Sequence, residues 1–177
     1  LIIPTTAGSG AEVTTFATLF VKSKKYSIAH KYIKPDYYIL FPKFINKSPN
    51  RIKASSGMDT ICQATESLLS VNSSKKSALY SVKSLKLAFK NIKKFVSSKN
   101  IKTSKNMSLA ANYSGKAINI AKTNGPHAVS YYFSTYHGLS HGHAVSLTIN
   151  SFLYFNYMNI EKSKTKFSLK KRYNILF

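Results

Sequence analysis

Apolar and β-branched residues come in short runs between Leu1 and about Asn46: LIIPTTA, VTTFATLFV, YSIAH and YYILF. Gly8, Gly10, the lysine cluster at 22–25 and Pro35 break these runs, a pattern that predicts strands and turns. After Pro49 the period changes. In SKKSALYSVKSLKLAFKNIKKFVSS, Ala78, Val82, Leu85, Phe89, Ile92 and Val96 recur at three- and four-residue steps, while Lys76, Lys83, Lys86, Lys90, Lys93 and Lys94 fall mostly off that stripe. The spacing predicts a helix with its apolar side on a core and its lysines in water. A further helix is predicted over SLAANYSGKAINIAK, where Ala110, Ser114, Ala117 and Ala121 form a small-residue face suited to close packing. In SSGMDTICQATES, Ser56 sits at a plausible helix start, and Ser56-x-x-Asp59 has the spacing of a capping box. There is no internal repeat and no Gly/Ser linker, and the basic tail KSKTKFSLKKRYNILF suggests no role of its own.

Composition narrows the class. A chain of 177 residues can bury one good core, and 44% hydrophobic with 13% aromatic residues describes a folded protein. The single cysteine, Cys62, excludes an intramolecular disulfide framework and fits a reducing compartment. No basic-plus-apolar leader follows Leu1, so the expected location is cytoplasmic. The net charge of +22 invites a nucleic-acid reading, but of the 27 basic residues only Arg51 and Arg172 are arginines. Base-edge and phosphate-fork recognition favours arginine's planar donors, so specific nucleic-acid binding is not expected. Lys, Asn, Ile, Tyr and Phe are all abundant, and all have A/T-rich codons, so coding bias accounts for much of the charge.

One segment departs from this character. From Asn124 to Ile160 there is no Lys, Arg, Asp or Glu, yet four of the five histidines lie there. Ser, Thr, Asn and His recur too densely for a helix in hydrocarbon, so no membrane span is expected. His127 and His141 are 14 residues apart, each at the edge of a predicted helix, with His137 and His143 nearby. Neutral imidazole is a common transition-metal ligand, and a metal site is a reason to exclude competing charge. The five acids are scarce enough to be informative. On a helix, Asp59, Gln63 and Glu66 share one face, at steps of four and three, where a carboxylate and an amide oxygen can approach a divalent metal. The segment therefore reads as the buried wall of a metal-centred site.

Three stretches carry a family resemblance. IPTTAGSGAEVT resembles the nicotinamide-cofactor segment of the iron-containing, or type III, alcohol dehydrogenases, usually P-T-T-A-G-T-G-S-E-V-T. GMDTICQATES resembles that family's G-x-D-A-x-x-H-A-x-E run. GPHAVSYYFSTYHGLSHG resembles its paired-histidine segment, in which two ligand histidines stand 14 apart and the second precedes glycine. Within the family, these stretches look closest to the branch that reduces phosphonoacetaldehyde to 2-hydroxyethylphosphonate.

The resemblance implies an α+β fragment with the dehydroquinate synthase-like fold of that family. Residues 1–46 would be the remnant of an α/β nucleotide-binding domain, and 47–177 a truncated, all-helical metal and substrate domain. It implies Fe²⁺, or another divalent metal such as Zn²⁺, held by Asp59, His127 and His141, with Gln63 where the family has its fourth ligand, a histidine. Thr5, Thr6, Ser9, Thr14, Phe16 and Lys25 are the implied contacts for NAD(P)H, with Gly8 and Gly10 giving the backbone close approach to a pyrophosphate. Ala11 stands where relatives have a serine, so one hydroxyl is lost. Tyr131, where many relatives have histidine, and His143 are substrate-side candidates. The implied activity is metal-assisted reduction of a small aldehyde by NAD(P)H, in an intact protein that can form a homodimer. The family's glycine-rich nucleotide half is not seen here, so the chain is expected to be an internal fragment, or the product of a broken gene, without turnover of its own. The alternatives are a catalytically inactive relative, or a basic protein that binds nucleic acid or a membrane surface.

Overall fold

The computed structural model describes every residue except Ser23, and the side chains of all others but Phe20, Lys24 and Lys25. Of the four strand-like runs, two form a ladder. Strand β1 (Phe16–Val21) pairs antiparallel with β2 (Lys24–Ala29), Phe16 opposite Ala29. The other two runs meet only at a parallel bridge between Ile2 and Tyr38. Pro4, which has no N–H to donate, stands where that ladder would have to continue.

The remainder is helical. A short α1 (Pro42–Asn46) leads into α2 (Asn50–Leu69), the spine of the molecule, in which every residue from Asp59 to Leu69 is buried. The helix begins after Pro49, so Ser56 does not start it and the Ser56–Asp59 capping box does not form. The Ser56 hydroxyl instead donates to the Lys53 carbonyl at 3.3 Å, and Asp59 lies inside the helix, where only tertiary partners can justify a buried carboxylate.

Helix α3 (Lys75–Ser97) starts at a capping box made by Ser74 and Ser77. Its buried side follows the predicted stripe except at Phe89, with Val82, Ile92 and Val96 partly buried against the core. Ala78 and Leu85 face the core, but Phe89 is 60% exposed, and Ser81, Ser84, Ala88 and Phe95 fill the contact. Small hydroxyl residues suit a close helix–helix approach because their O–H can be satisfied locally: Ser84 donates to the Ala110 carbonyl of α4 at 2.8 Å. Helix α4 (Ile101–Ala121) presents the small-residue face expected of it, with Ala110, Ser114, Ala117 and Ala121 all buried. Ile45, Leu68, Leu85, Phe95 and Met107 make the main core among these helices. Lys53 is buried as well, its ammonium donating to the Ser98 carbonyl at 3.1 Å beyond the end of α3 and lying over the Phe95 ring.

Helix α5 (Gly125–His137) ends on Gly138 in the left-handed conformation, and α6 (His141–Met158) follows at once. They carry the charge-free segment, and only one edge of it is a buried wall: Pro126, His127 and Ser130 from α5, with Gly142, Ala144, Val145 and Ile149 from α6. Tyr136, Tyr154, Phe155 and Met158 are largely exposed, so the expected buried wall is limited to that edge. The basic tail folds back as α7 (Leu169–Leu176), where buried Tyr173 donates from its hydroxyl to the Leu153 carbonyl at 3.0 Å. Among the described residues, no helix is long and apolar enough to cross a membrane.

The N-terminal segment is fastened to the bundle by polar pins. Thr60 donates to the Ala7 carbonyl at 2.9 Å, Asn112 donates to the buried Glu12 carboxylate at 2.9 Å, and Asn119 accepts from both the N–H and the hydroxyl of Thr15. Gly10 has φ +61, and a methyl group on it would come within 2.6 Å of the Gly115 backbone. The missing side chains of Gly8 and Gly10 thus serve contact with α2 and α4.

Candidate metal and cofactor site

Helix α2 offers Asp59 and Glu66 from one side, α5 offers His127 from its first turn, and α6 offers His141 at its first residue. One donor atom from each of Asp59, His127 and His141 lies within 4.8 Å of the others. His127 Nε2 is 3.3 Å from Asp59 Oδ1, and His141 Nε2 is 3.7 Å from the same oxygen. Two donors on one tetrahedral ion with bonds of ~2.1 Å stand about 3.4 Å apart, so this spacing suits a divalent transition metal.

The opposite ring nitrogen of His127 is held too. Nδ1 lies 2.5 Å from Glu66 Oε1, whose other oxygen accepts the Asn124 N–H at 2.6 Å. A carboxylate on Nδ1 fixes the ring's orientation and keeps Nε2 facing Asp59, where it donates when the ring is protonated and would offer its lone pair to a metal, the arrangement that orients metal-ligating histidines. Without a metal, burial pulls the His127 pKa down, but the hydrogen bonds and charges of Asp59 and Glu66 outweigh it and lift it to about 9. The pocket therefore attracts a cation, proton or metal. Gln63 is buried beside Asp59, and its amide oxygen accepts the Ser114 hydroxyl at 3.1 Å, which leaves one lone pair uncommitted. Cys62, between them in sequence, points into the α2–α6 contact with Val145 and Ile149.

Gly142 allows this convergence. A methyl group there would collide with the Ser55 carbonyl oxygen and come within 3.0 Å of the Asp59 side chain. Its absence lets the start of α6, and with it His141, lie directly against α2.

Asp59, Gln63, His127 and His141 open on a cleft of about 920 Å³. Ser9, Thr14 and Phe16 line the same cleft, so the structure joins three of the six implied cofactor contacts to the donor cluster, and the substrate-side candidate Tyr131 lines it too. Thr5, Thr6 and His143 are exposed and stand outside its wall. Lys25 belongs to β2, and its side chain lies outside the described residues. Sequence reasoning placed Glu66 on the right helix face but did not assign it to His127, and it missed Asn124, Ser114 and Gly142. Glu66 could have been found from its seven-residue step from Asp59, whereas the partners of Asn124 and Ser114 depend on tertiary packing.

Comparison with known proteins agrees with this geometry. A family model described as Fe-containing alcohol dehydrogenase family, C-terminal, matches residues 53–175. Phosphonoacetaldehyde reductase of Streptomyces viridochromogenes is 33% identical over 159 residues, which make up 88% of this chain and 40% of that protein. Sulfoacetaldehyde reductase from Bifidobacterium kashiwanohense, solved in complex with NAD+, superposes with a TM-score of 0.84 at 32% identity, covering 87% of this chain and 42% of its own. An iron-containing alcohol dehydrogenase from Thermotoga maritima has a TM-score of 0.84 at 26% identity, covering 98% of this chain and 46% of its own. The chain spans about two fifths of the length of the curated relatives it matches.

Proposed function

This chain belongs to the Fe-containing alcohol dehydrogenase family, and on that footing we propose that it carries the metal and substrate half of a nicotinamide-dependent aldehyde reductase. The observation that carries the reading is the convergence of Asp59, His127 and His141, braced by Glu66, on a cleft shared with Thr14 and Phe16.

In this reading Asp59, His127 and His141 hold Fe²⁺ or Zn²⁺, with the remaining lone pair of Gln63 as a weaker fourth donor. The bound metal supplies Lewis-acid polarisation of an aldehyde oxygen, and NAD(P)H supplies the hydride that reaches the carbonyl carbon. The chain's own residues do the positioning. Glu66 locks the His127 ring, Gly142 seats His141 against α2, and Tyr131, one turn beyond His127, borders the substrate. Ser9, Thr14 and Phe16 in the cleft wall, with Thr5, Thr6 and Lys25 before and beyond it, are the proposed dinucleotide contacts. His143, exposed on the first turn of α6, is the remaining substrate-side candidate. No side chain is assigned as a separate acid or base.

We assign residues 1–46 to the nucleotide-binding part and 47–177 to the metal and substrate part, and the cytoplasm as the compartment. A homodimer is the proposed state of the whole protein. The proposed substrate is phosphonoacetaldehyde, reduced to 2-hydroxyethylphosphonate; the identity with the Streptomyces reductase supports this choice.

Metal content and affinity of the 177-residue chain test the site. Stoichiometric Fe²⁺ or Zn²⁺, abolished by Asp59→Ala and by His127→Ala, is the expected result. Failure of the unaltered chain to bind either metal, in the presence of an intact fold by circular dichroism, would remove the mechanism. The Gln63→His variant, which puts imidazole in place of an amide, should bind more tightly.

A further inference from the structure

Helix α4 stops at Ala121, and the next residue, Lys122, has φ 64 and ψ 177 while its N–H still donates to the Ile118 carbonyl at 2.8 Å. That corner of backbone space is open to glycine without strain and to almost nothing else. A helix end of this kind would be satisfied by glycine, so the lysine side chain is held at a cost to the backbone. Strain of this sort is a reason to ask what the side chain does.

Its surroundings are specific. Lys122 lines the cleft that contains Asp59, His127 and His141, and among the described residues it is the only lysine or arginine that does so. Its ammonium lies 4.8 Å from the centre of the Phe16 ring, a face-on contact that steadies the cation without neutralising it. Among the described residues, the ion pairs all belong to His127 and His141, so no carboxylate engages Lys122. Ser134 lines the same cleft from α5, and its hydroxyl is buried with no hydrogen-bond partner. A buried hydroxyl left without a partner is destabilising unless a ligand supplies one. Thr123 adds a second hydroxyl to this wall.

We infer that Lys122, with the Ser134 hydroxyl, receives the tetrahedral oxyanion at the far end of the substrate, and so selects aldehydes bearing a phosphonate or sulfonate. The inference rests on the aldehyde-reductase reading above and names the residue that reads the substrate's charge. A cation and an unpaired donor match an XO₃ group, and the metal ligands in the same cleft leave the aldehyde end for the reacting centre.

The test uses the 177-residue chain loaded with Zn²⁺, with 2-hydroxyethylphosphonate as the anionic probe, 1-propanol as the neutral one and ADP as the cofactor-phosphate probe. Binding is followed by NMR titration for the wild type and for Lys122→Gln, Lys122→Gly and Lys122→Arg. Losing a charged hydrogen bond predicts on the order of tenfold to a hundredfold weaker phosphonate binding in Lys122→Gln and Lys122→Gly. Lys122→Arg should retain most of the affinity, and 1-propanol should be indifferent to all three. Lys122→Gly should also melt at a higher temperature than wild type, which separates loss of the cation from loss of fold. Ser134→Ala should weaken phosphonate binding by a smaller factor.

Unchanged phosphonate affinity in Lys122→Gln overturns the inference, as does absence of phosphonate binding by the wild type. A loss confined to ADP overturns it as well, because the lysine would then serve the cofactor. Zinc stoichiometry on the same samples keeps the two readings apart. Zinc bound without Lys122-dependent phosphonate binding rejects only the role of Lys122, whereas no zinc rejects the metal site itself.

Discussion

Nδ1 of His127 and Oε1 of Glu66 are 2.5 Å apart, and this pairing sets which face of the imidazole points at Asp59. Glu66 touches no open part of the donor cluster, so its effect on a metal passes through the ring. The Glu66→Gln substitution keeps an oxygen for the Asn124 N–H but weakens the hold on His127. Metal affinity should fall by about 10–100-fold with the fold retained. Competition titration against a chelator, alongside circular dichroism, measures both.

The same pairing makes stability depend on pH in a predictable direction. The His127 pKa in the folded, metal-free chain is raised to about 9, above the ordinary imidazole value of 6.5. A raised pKa stabilises the folded state fully below the unfolded value, and that stabilisation is lost as pH climbs through the folded one. The metal-free protein should therefore melt progressively lower between pH about 6.5 and about 9, and a His127→Gln variant should lose most of that slope. Added Zn²⁺ should reverse the trend, because metal must displace the proton and so binds more tightly as pH rises. Thermal melts with and without the metal across this range decide it.

Gly142 offers a purely steric test. A methyl group there meets the Ser55 carbonyl oxygen, a backbone atom that cannot rotate away. Gly142→Ala should cost about 1–3 kcal/mol through overpacking. It should also push His141 away from Asp59, so metal affinity should fall further than the loss of stability alone explains. Comparison with Gly138→Ala is informative: a methyl group at Gly138 meets no neighbour, and its penalty should come only from the positive φ.

Cys62 should be chemically silent in the native state. Burial first, and then the negative charges of Glu66 and Asp59, push its thiol pKa well above the ordinary value, so almost no thiolate is available. A thiol reagent should modify it at a rate limited by unfolding, and modification should become immediate in denaturant. Fast labelling of the folded chain would show that the contact between α2 and α6 opens readily.

The parts of this structure that could be read in the chain were those that depend on residue type and local spacing. His127 and His141 stood out because imidazoles without neighbouring charge have few structural uses, and Asp59 because acids are so rare here. The small-residue face of α4 was legible for the same reason, since Ala110, Ser114, Ala117 and Ala121 repeat at helical steps. The α3 stripe was misjudged at Phe89 because packing chose Ser81, Ser84 and Ala88, whose size allows close approach, over a larger apolar side chain. The start of α2 was misplaced because Ser56 has the chemistry of a cap, while Pro49, seven residues earlier, has the geometry of one. Lys122 left no signal at all: a lysine after a helix gives no hint that its φ is positive.

Glu12, Asp59 and Glu66 are buried, whereas Asp36 and Glu161 are the two acids left on a surface to which, among the described side chains, every lysine and arginine but Lys53 belongs. Charge is thus sorted by depth, anionic inside and cationic outside. A divalent ion approaching from solution climbs a repulsive potential before it reaches an attractive one, whereas an anion is drawn to the surface first and meets the buried carboxylates only at the end. Ionic strength acts on both journeys in opposite directions, since screening lowers the outer barrier for the ion and blunts the pull on the anion. Loading of this chain with metal should therefore be quicker in salt, and its capture of anionic ligands slower.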